Sequence, residues 1–150
     1  IVPIGGGSGA AGACVVAKDA NPRIGVIGVQ SSGAPASYIS WKNHRIAEAP
    51  METVAEGLAV GRGYEFTQSI LRDLLDDFIL VSDQDLRRAV VLHLRHTHNL
   101  MEHAGAASLA AAVKIKDQIA GKKVVLVASG SNISMEQLNQ AIEDSASSSP

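Results

Sequence analysis

Two hydrophobic rhythms alternate along this chain. Short apolar runs rich in β-branched residues are separated by stretches whose apolar positions recur at helical spacing. Ile1-Val2-Pro3-Ile4, Ile24-Gly25-Val26-Ile27-Gly28-Val29, Phe78-Ile79-Leu80-Val81 and Val124-Val125-Leu126-Val127 read as short buried strands. Ala10 to Ala20 and a short stretch from Pro35 to Trp41 suit helices. Phe66, Ile70 and Leu74 mark another, and Leu86, Val90 and Leu94 a longer one reaching Leu100. Gly105 to Ile119 is an Ala-rich helix suited to close packing. Two capping boxes punctuate the pattern: Ser82 with Asp85 ahead of the long helix, and Ser134 with Gln137 ahead of a last helix ending near Glu143. Asn43 to Tyr64, with Pro50, Gly57, Gly61 and Gly63, has weak periodicity and reads as a long excursion of the kind that tends to be functional. Asp144 to Pro150 is a Ser-rich end without a core pattern and is expected to be disordered.

Strand and helix in alternation imply an α/β domain with a mainly parallel sheet flanked by helices, with ligands at the carboxyl ends of the strands. Two strands end in Gly- and Ser-rich turns there, Gly5-Gly6-Gly7-Ser8-Gly9 and Ser129-Gly130-Ser131-Asn132. If those strands are neighbours, both turns face one site. A glycine run between a strand and a helix is a way to cradle phosphate, because bare backbone approaches the anion and successive N–H groups point at it. The run matches neither common nucleotide signature. It has no Gly-Lys-Ser/Thr ending, and Gly7-Ser8-Gly9-Ala10-Ala11-Gly12 lacks the acidic ribose ligand expected downstream. The loop alone leaves a phosphate cradle and a plain structural turn both open.

Composition narrows the classes. The chain has 150 residues, 46% of them hydrophobic and only 3% aromatic, enough for one domain with a real core. A net charge of −2 gives no electrostatic case for nucleic acid or an anionic membrane, and no apolar run approaches a membrane span. The single cysteine, Cys14, suits a reducing, cytoplasmic setting and reads as a small buried apolar residue. His93, His96 and His98 do not share one helical face, so a metal is not expected there. The chain opens without Met inside a strand, and a fragment of a longer protein is expected.

Six segments in order carry a resemblance: Val2-Pro3-Ile4-Gly5-Gly6-Gly7, Val26-Ile27-Gly28-Val29-Gln30, Ala55-Glu56-Gly57-Leu58, Val81-Ser82, Met101-Glu102-His103-Ala104-Gly105-Ala106 and Val127-Ala128-Ser129-Gly130-Ser131-Asn132. Together, over nearly all of residues 1–143, they resemble the C-terminal half of threonine dehydratase. That enzyme belongs to the fold-type II pyridoxal-phosphate enzymes, with serine racemase and the tryptophan synthase β chain. The resemblance implies part of the large domain of that fold and pyridoxal 5′-phosphate as cofactor. It also implies conversion of L-threonine or L-serine to a 2-oxo acid and ammonia, and a homo-oligomer. By the same resemblance Gly5, Gly6, Gly7 and Ser8 hold the cofactor phosphate and Gly9 shapes the turn, while Ser129 hydrogen-bonds the pyridine nitrogen. A neutral hydroxyl at that nitrogen leaves it largely unprotonated, which suits β-elimination over transamination.

Departures from the family pattern matter as much. Ser8 stands where glycine is usual. Glu102 matches an acidic residue near the cofactor, although a carboxylate favoured by the following helix N-terminus is an equal reading. His103 replaces Pro or Gly and is expected to face solvent. Where some relatives bind a divalent metal, Gln30-Ser31-Ser32-Gly33-Ala34 has no carboxylate, so no metal is expected. The family's Schiff-base lysine lies in a serine-phenylalanine-lysine context in the N-terminal half. Lys18, Lys42, Lys114, Lys116, Lys122 and Lys123 all lie elsewhere, so a chain inactive on its own is expected. The alternatives are a stand-alone phosphate- or nucleotide-binding module, and an inactive interaction fragment that associates through an exposed sheet edge.

Overall fold

The computed structural model describes residues 1–147. Three parallel strands form the sheet, in the order β1 (Val2–Pro3), β2 (Ile27–Ser31), β3 (Asp77–Val81). Val2 pairs with Gly28, and Ile27 through Ser31 pair with Asp77 through Val81. Side chains alternate across the sheet. Val2, Ile4, Val26 and Phe78 enter one apolar cluster with helices α1 (Ser8–Ala20) and α3 (Glu65–Leu74). Tyr38 and Trp41 of α2 (Ala36–Lys42) pack on that cluster, both against the Phe78 ring. Val29 and Val81 enter the opposite cluster, with α4 (Asp83–Thr97) and α5 (Ala107–Lys114). A short α6 (Lys116–Ile119) follows, and α7 (Met135–Ser147) packs on α4. Alanines 107, 110 and 111 line the buried side of α5, so the helix can lie close to the sheet.

The excursion after α2 has one 3-10 turn, Glu56–Leu58, and one isolated bridge, Glu48 to Arg62. Both capping boxes are present. Ser82 and Asp85 exchange hydrogen bonds ahead of α4, and Ser134 and Gln137 do the same ahead of α7. The last helix continues past Glu143 to Ser147, and Asp144 pairs with Arg87 at 3.3 Å. Residues 148–150 of the Ser-rich end lie outside the described residues. No described helix is long and apolar enough to cross a membrane.

Two sequence expectations are corrected. Val124 to Val127 does not form a buried strand; Val125 is 77% exposed. The segment does run beside β1, with the Ile1 amine donating to Val125 O at 2.8 Å and Val127 N–H donating to Ile1 O at 3.1 Å. The next rung of a parallel ladder would need an N–H from residue 3, and Pro3 has none. The Ser108 hydroxyl of α5 takes the Val127 carbonyl instead, at 2.9 Å. The second correction concerns α3. Phe66 of the expected apolar stripe is 78% exposed, and the buried face is Thr67, Gln68 and Leu71, one residue along.

Candidate functional site

The glycine loop leaves β1 and enters α1 through Gly7, whose φ of 92° is easily reached only by glycine. Two hydroxyls hold the loop from behind. Ser37 Oγ donates to Gly5 O at 2.9 Å, and Thr67 Oγ1 donates to Gly6 O at 2.8 Å. Each carbonyl shares a peptide plane with the N–H of the next residue, pointing the opposite way in a trans peptide, and no peptide here is cis. Tying back the Gly5 and Gly6 carbonyls therefore turns the N–H groups of Gly6 and Gly7 outward. The first helical bond is Ala11 N–H to Gly7 O, and no side chain caps the helix. The N–H groups of Ser8, Gly9 and Ala10 thus remain at the positive end of α1. Gly6, Ser8 and Gly9 are exposed, and a Cβ on Gly9 would meet nothing within 4 Å. An exposed, uncapped helix start preceded by tied-back carbonyls has the donor set and the space for a phosphate dianion.

Backbone-to-backbone approaches gather the other turns around this loop. The Gly57 carbonyl lies against the Gly5 Cα so closely that a Cβ would collide with it. Gly57 in turn sits on Ala104, whose Cβ is 3.0 Å from where a Gly57 Cβ would stand. Gly105 abuts the Gly130 backbone, and Gly130 abuts the Glu102 carboxylate, each with no room for a side chain. Glu102 N–H donates to Gly130 O at 3.1 Å, and Ala106 N–H to Glu102 O at 2.9 Å. The two bonds at Ile1 place that residue opposite Leu126. The glycine approaches link Gly5, where the loop Gly5, Gly6, Gly7, Ser8 and Gly9 leaves β1, through Gly57 and the 104–105 turn to Glu102 and to Gly130, the residue after Ser129. Ser129 is exposed, and Glu102 is half-buried against the turn that carries it.

His103 does not face solvent as expected; it is 3% exposed. Burial holds its imidazole below the ordinary pKa, the Arg87 charge pushes the same way, and Asp83 opposes. Asp83, at the start of α4, brings a carboxylate to the segment after β2, which has none of its own. It accepts from Thr53 Oγ1 at 2.5 Å, Val54 N–H at 3.0 Å and Ser31 Oγ at 3.3 Å. No three His, Cys, Asp or Glu side chains cluster as a metal site among the described residues. Lys18 is bound to Asp76 and the Ile24 carbonyl, Lys42 to the Tyr38 hydroxyl, and Lys114 to the Leu80 carbonyl.

Sequence reasoning missed Ser37 and Thr67. Their partners lie 32 and 61 positions away, so no local pattern marks them. The signal available was two polar residues, Thr67 and Gln68, on what proves to be the buried face of α3.

Comparison with known proteins decides the family. Residues 1–130 match the family of pyridoxal-phosphate-dependent enzymes. The chain belongs to that family. An L-threonine ammonia-lyase from Geobacter sulfurreducens is 35% identical over 95% of this chain and 36% of its own length. The catabolic L-threonine dehydratase of Escherichia coli is 36% identical over 93% of this chain and 44% of its own. Among solved structures, a processed threonine deaminase from Solanum lycopersicum superposes with a TM-score of 0.88 at 29% identity, covering 95% of this chain and 43% of that one. The serine racemase of Dictyostelium discoideum gives 0.82 at 31%, covering 89% and 43%. The chain thus spans less than half the length of these relatives. As a member of the pyridoxal-phosphate family it has the α/β architecture of fold-type II enzymes, and the family's cofactor is pyridoxal phosphate.

Proposed function

We propose that this chain is the phosphate- and ring-binding portion of a dehydratase acting on L-threonine or L-serine, which releases a 2-oxo acid and ammonia. The observation that carries this reading is the glycine loop, with Gly5 and Gly6 carbonyls tied back, Gly6, Ser8 and Gly9 exposed, and the start of α1 without a side-chain cap. When bound, pyridoxal phosphate supplies an electron sink for the charge left on the substrate α-carbon. The backbone N–H groups of Gly6, Gly7, Ser8 and Gly9 would hydrogen-bond the phosphate at the positive end of α1, and the Ser8 hydroxyl would add a donor. Ser129 offers the pyridine nitrogen a neutral hydroxyl, so no proton is forced onto the ring. Glu102, packed under that turn, fixes its height. The catalytic lysine comes from outside residues 1–150, so this chain alone does not turn over substrate. The assembled enzyme is a homo-oligomer. A cytoplasmic location accords with the lone buried thiol, Cys14.

Calorimetric titration of the chain with pyridoxal phosphate, pyridoxal and ATP, followed by borohydride reduction and intact mass, tests this. Saturable binding of pyridoxal phosphate, weaker binding of pyridoxal, none of ATP, and no adduct fixed on one lysine are expected. Saturable ATP binding without pyridoxal phosphate binding would mark a nucleotide module instead. One stoichiometric adduct at a single lysine of this chain would overturn the placement of the catalytic lysine.

A further inference from the structure

We propose that Gln30 and Gln68 are positioning residues for the phosphate loop, acting together as a clamp on one peptide group. This rests on the reading of the glycine loop as the phosphate site. Gln30 lies on β2 and is 0% exposed; its Oε1 accepts from Tyr38 N–H at 3.0 Å. Gln68 lies on α3 and is 1% exposed; its Nε2 donates to Ser37 O at 3.1 Å. The Ser37 carbonyl and the Tyr38 N–H are the two halves of a single peptide unit, gripped from the sheet on one side and from a helix on the other. That peptide belongs to the first turn of α2, where the Tyr38 N–H has no intrahelical partner. It also carries the Ser37 side chain, whose hydroxyl holds Gly5 O and so sets the direction of the Gly6 N–H.

The partners fix which amide atom faces which way, since an N–H demands the oxygen and a carbonyl demands the nitrogen. Each glutamine is left with one buried polar atom without a partner among the described residues, Gln30 Nε2 and Gln68 Oε1. If these positions only filled space, an apolar side chain would do so without that penalty. What the glutamines supply, and a leucine cannot, is one acceptor and one donor at a defined peptide. Two clamps therefore act on the loop from α3: Thr67 directly on Gly6, and Gln68 through Ser37 on Gly5.

A contrast between a conservative and an apolar substitution follows. Buried without a counter-charge, Gln30→Glu is held as the neutral acid and keeps an acceptor for the Tyr38 N–H, whereas Gln30→Leu removes that acceptor and Gln68→Leu removes the donor to the Ser37 carbonyl. The test records the backbone amide resonances of Gly6 and Gly7 in the unliganded chain for Q30E, Q30L, Q68L and S37A. Affinities for pyridoxal phosphate and pyridoxal are measured alongside, with circular dichroism as the folding check. Expected are unmoved Gly6 resonances in Q30E and displaced ones in Q68L, Q30L and S37A. The latter three should lose about tenfold in preference for pyridoxal phosphate over pyridoxal. Equal Gly6 displacement in Q30E and Q30L, or none in S37A, overturns the clamp even if the wild-type chain binds pyridoxal phosphate well. A wild-type chain that binds pyridoxal as tightly as pyridoxal phosphate overturns the phosphate reading, and the clamp's role with it, whatever the resonances show.

Discussion

The Thr67 hydroxyl donates to the Gly6 carbonyl at 2.8 Å, joining the buried face of α3 to the middle of the glycine loop. Thr67→Ala removes that bond and leaves Gly6 O without its donor, at a cost of about 1 kcal/mol in stability. Thr67→Ser restores it. Urea unfolding should therefore rank the wild-type chain and the serine variant together above alanine. Calorimetry should show alanine losing preference for pyridoxal phosphate over pyridoxal, because the lost bond acts on the loop proposed to hold the phosphate.

Glycines of one loop should respond oppositely to the same methyl group. At Gly5 a Cβ meets the Gly57 carbonyl, a backbone atom that cannot swing away. Gly5→Ala should destabilise by about 1–3 kcal/mol. At Gly9, in the first turn of α1, a Cβ meets nothing, and alanine is the better helix former by about 0.5–1 kcal/mol. Gly9→Ala should raise the melting temperature while weakening pyridoxal phosphate binding, if a ligand phosphate occupies that open space. A stabilised variant with undiminished binding would remove Gly9 from the cradle.

Ser129 should show the complementary signature. Its side chain is exposed, so Ser129→Ala should leave unfolding unchanged. Loss of one neutral hydrogen bond to the ring corresponds to a few-fold weaker binding. Pyridoxal and pyridoxal phosphate should weaken by the same factor, since both carry the ring nitrogen. A loss confined to pyridoxal phosphate would place Ser129 at the phosphate instead.

Burial holds both His93 and His103 below the ordinary histidine pKa. Between the folded value and the unfolded value of about 6.5, the unfolded chain binds more protons than the folded one. Stability is therefore full above about pH 6.5 and falls as pH drops toward the folded values. Urea midpoints measured from pH 8 to pH 5 should decline across that window. His103→Gln combined with His93→Gln should flatten the decline; an unchanged slope would assign the acid sensitivity to other groups.

Local rhythm was enough to place the three strands and most of the helices, because burial on a sheet or under a helix imposes a period that residues cannot hide. The long helix nonetheless stops at Thr97 rather than Leu100, and the stretch expected as one helix to Ile119 divides into α5 and α6. The larger failures have one cause. Val124 to Val127 reads as a buried strand on its own, but its ladder depends on Pro3, a residue at the other end of the chain that has no N–H to give. The buried face of α3 was displaced by one residue because Thr67 and Gln68 serve buried backbone groups of other elements, and polarity there looks like solvent exposure. His103 reads as a turn residue, and only the packing of its turn near Arg87 and Asp83 sends it inward. The glycine loop and the Ser129 turn were legible as pieces. Their common position came from glycine-to-backbone approaches between distant segments.

Pro3 also decides how the two turns are held relative to each other. The glycine loop grows directly out of a hydrogen-bonded strand, so one jaw of the site is as rigid as the sheet. Beyond Ile1 the segment leading to Ser129 has no rung to the sheet and instead hangs from Ser108 on α5. The gap between the jaws is therefore set by how deeply an alanine-lined helix seats, and a single added methylene on that face would reset the calliper without touching either turn.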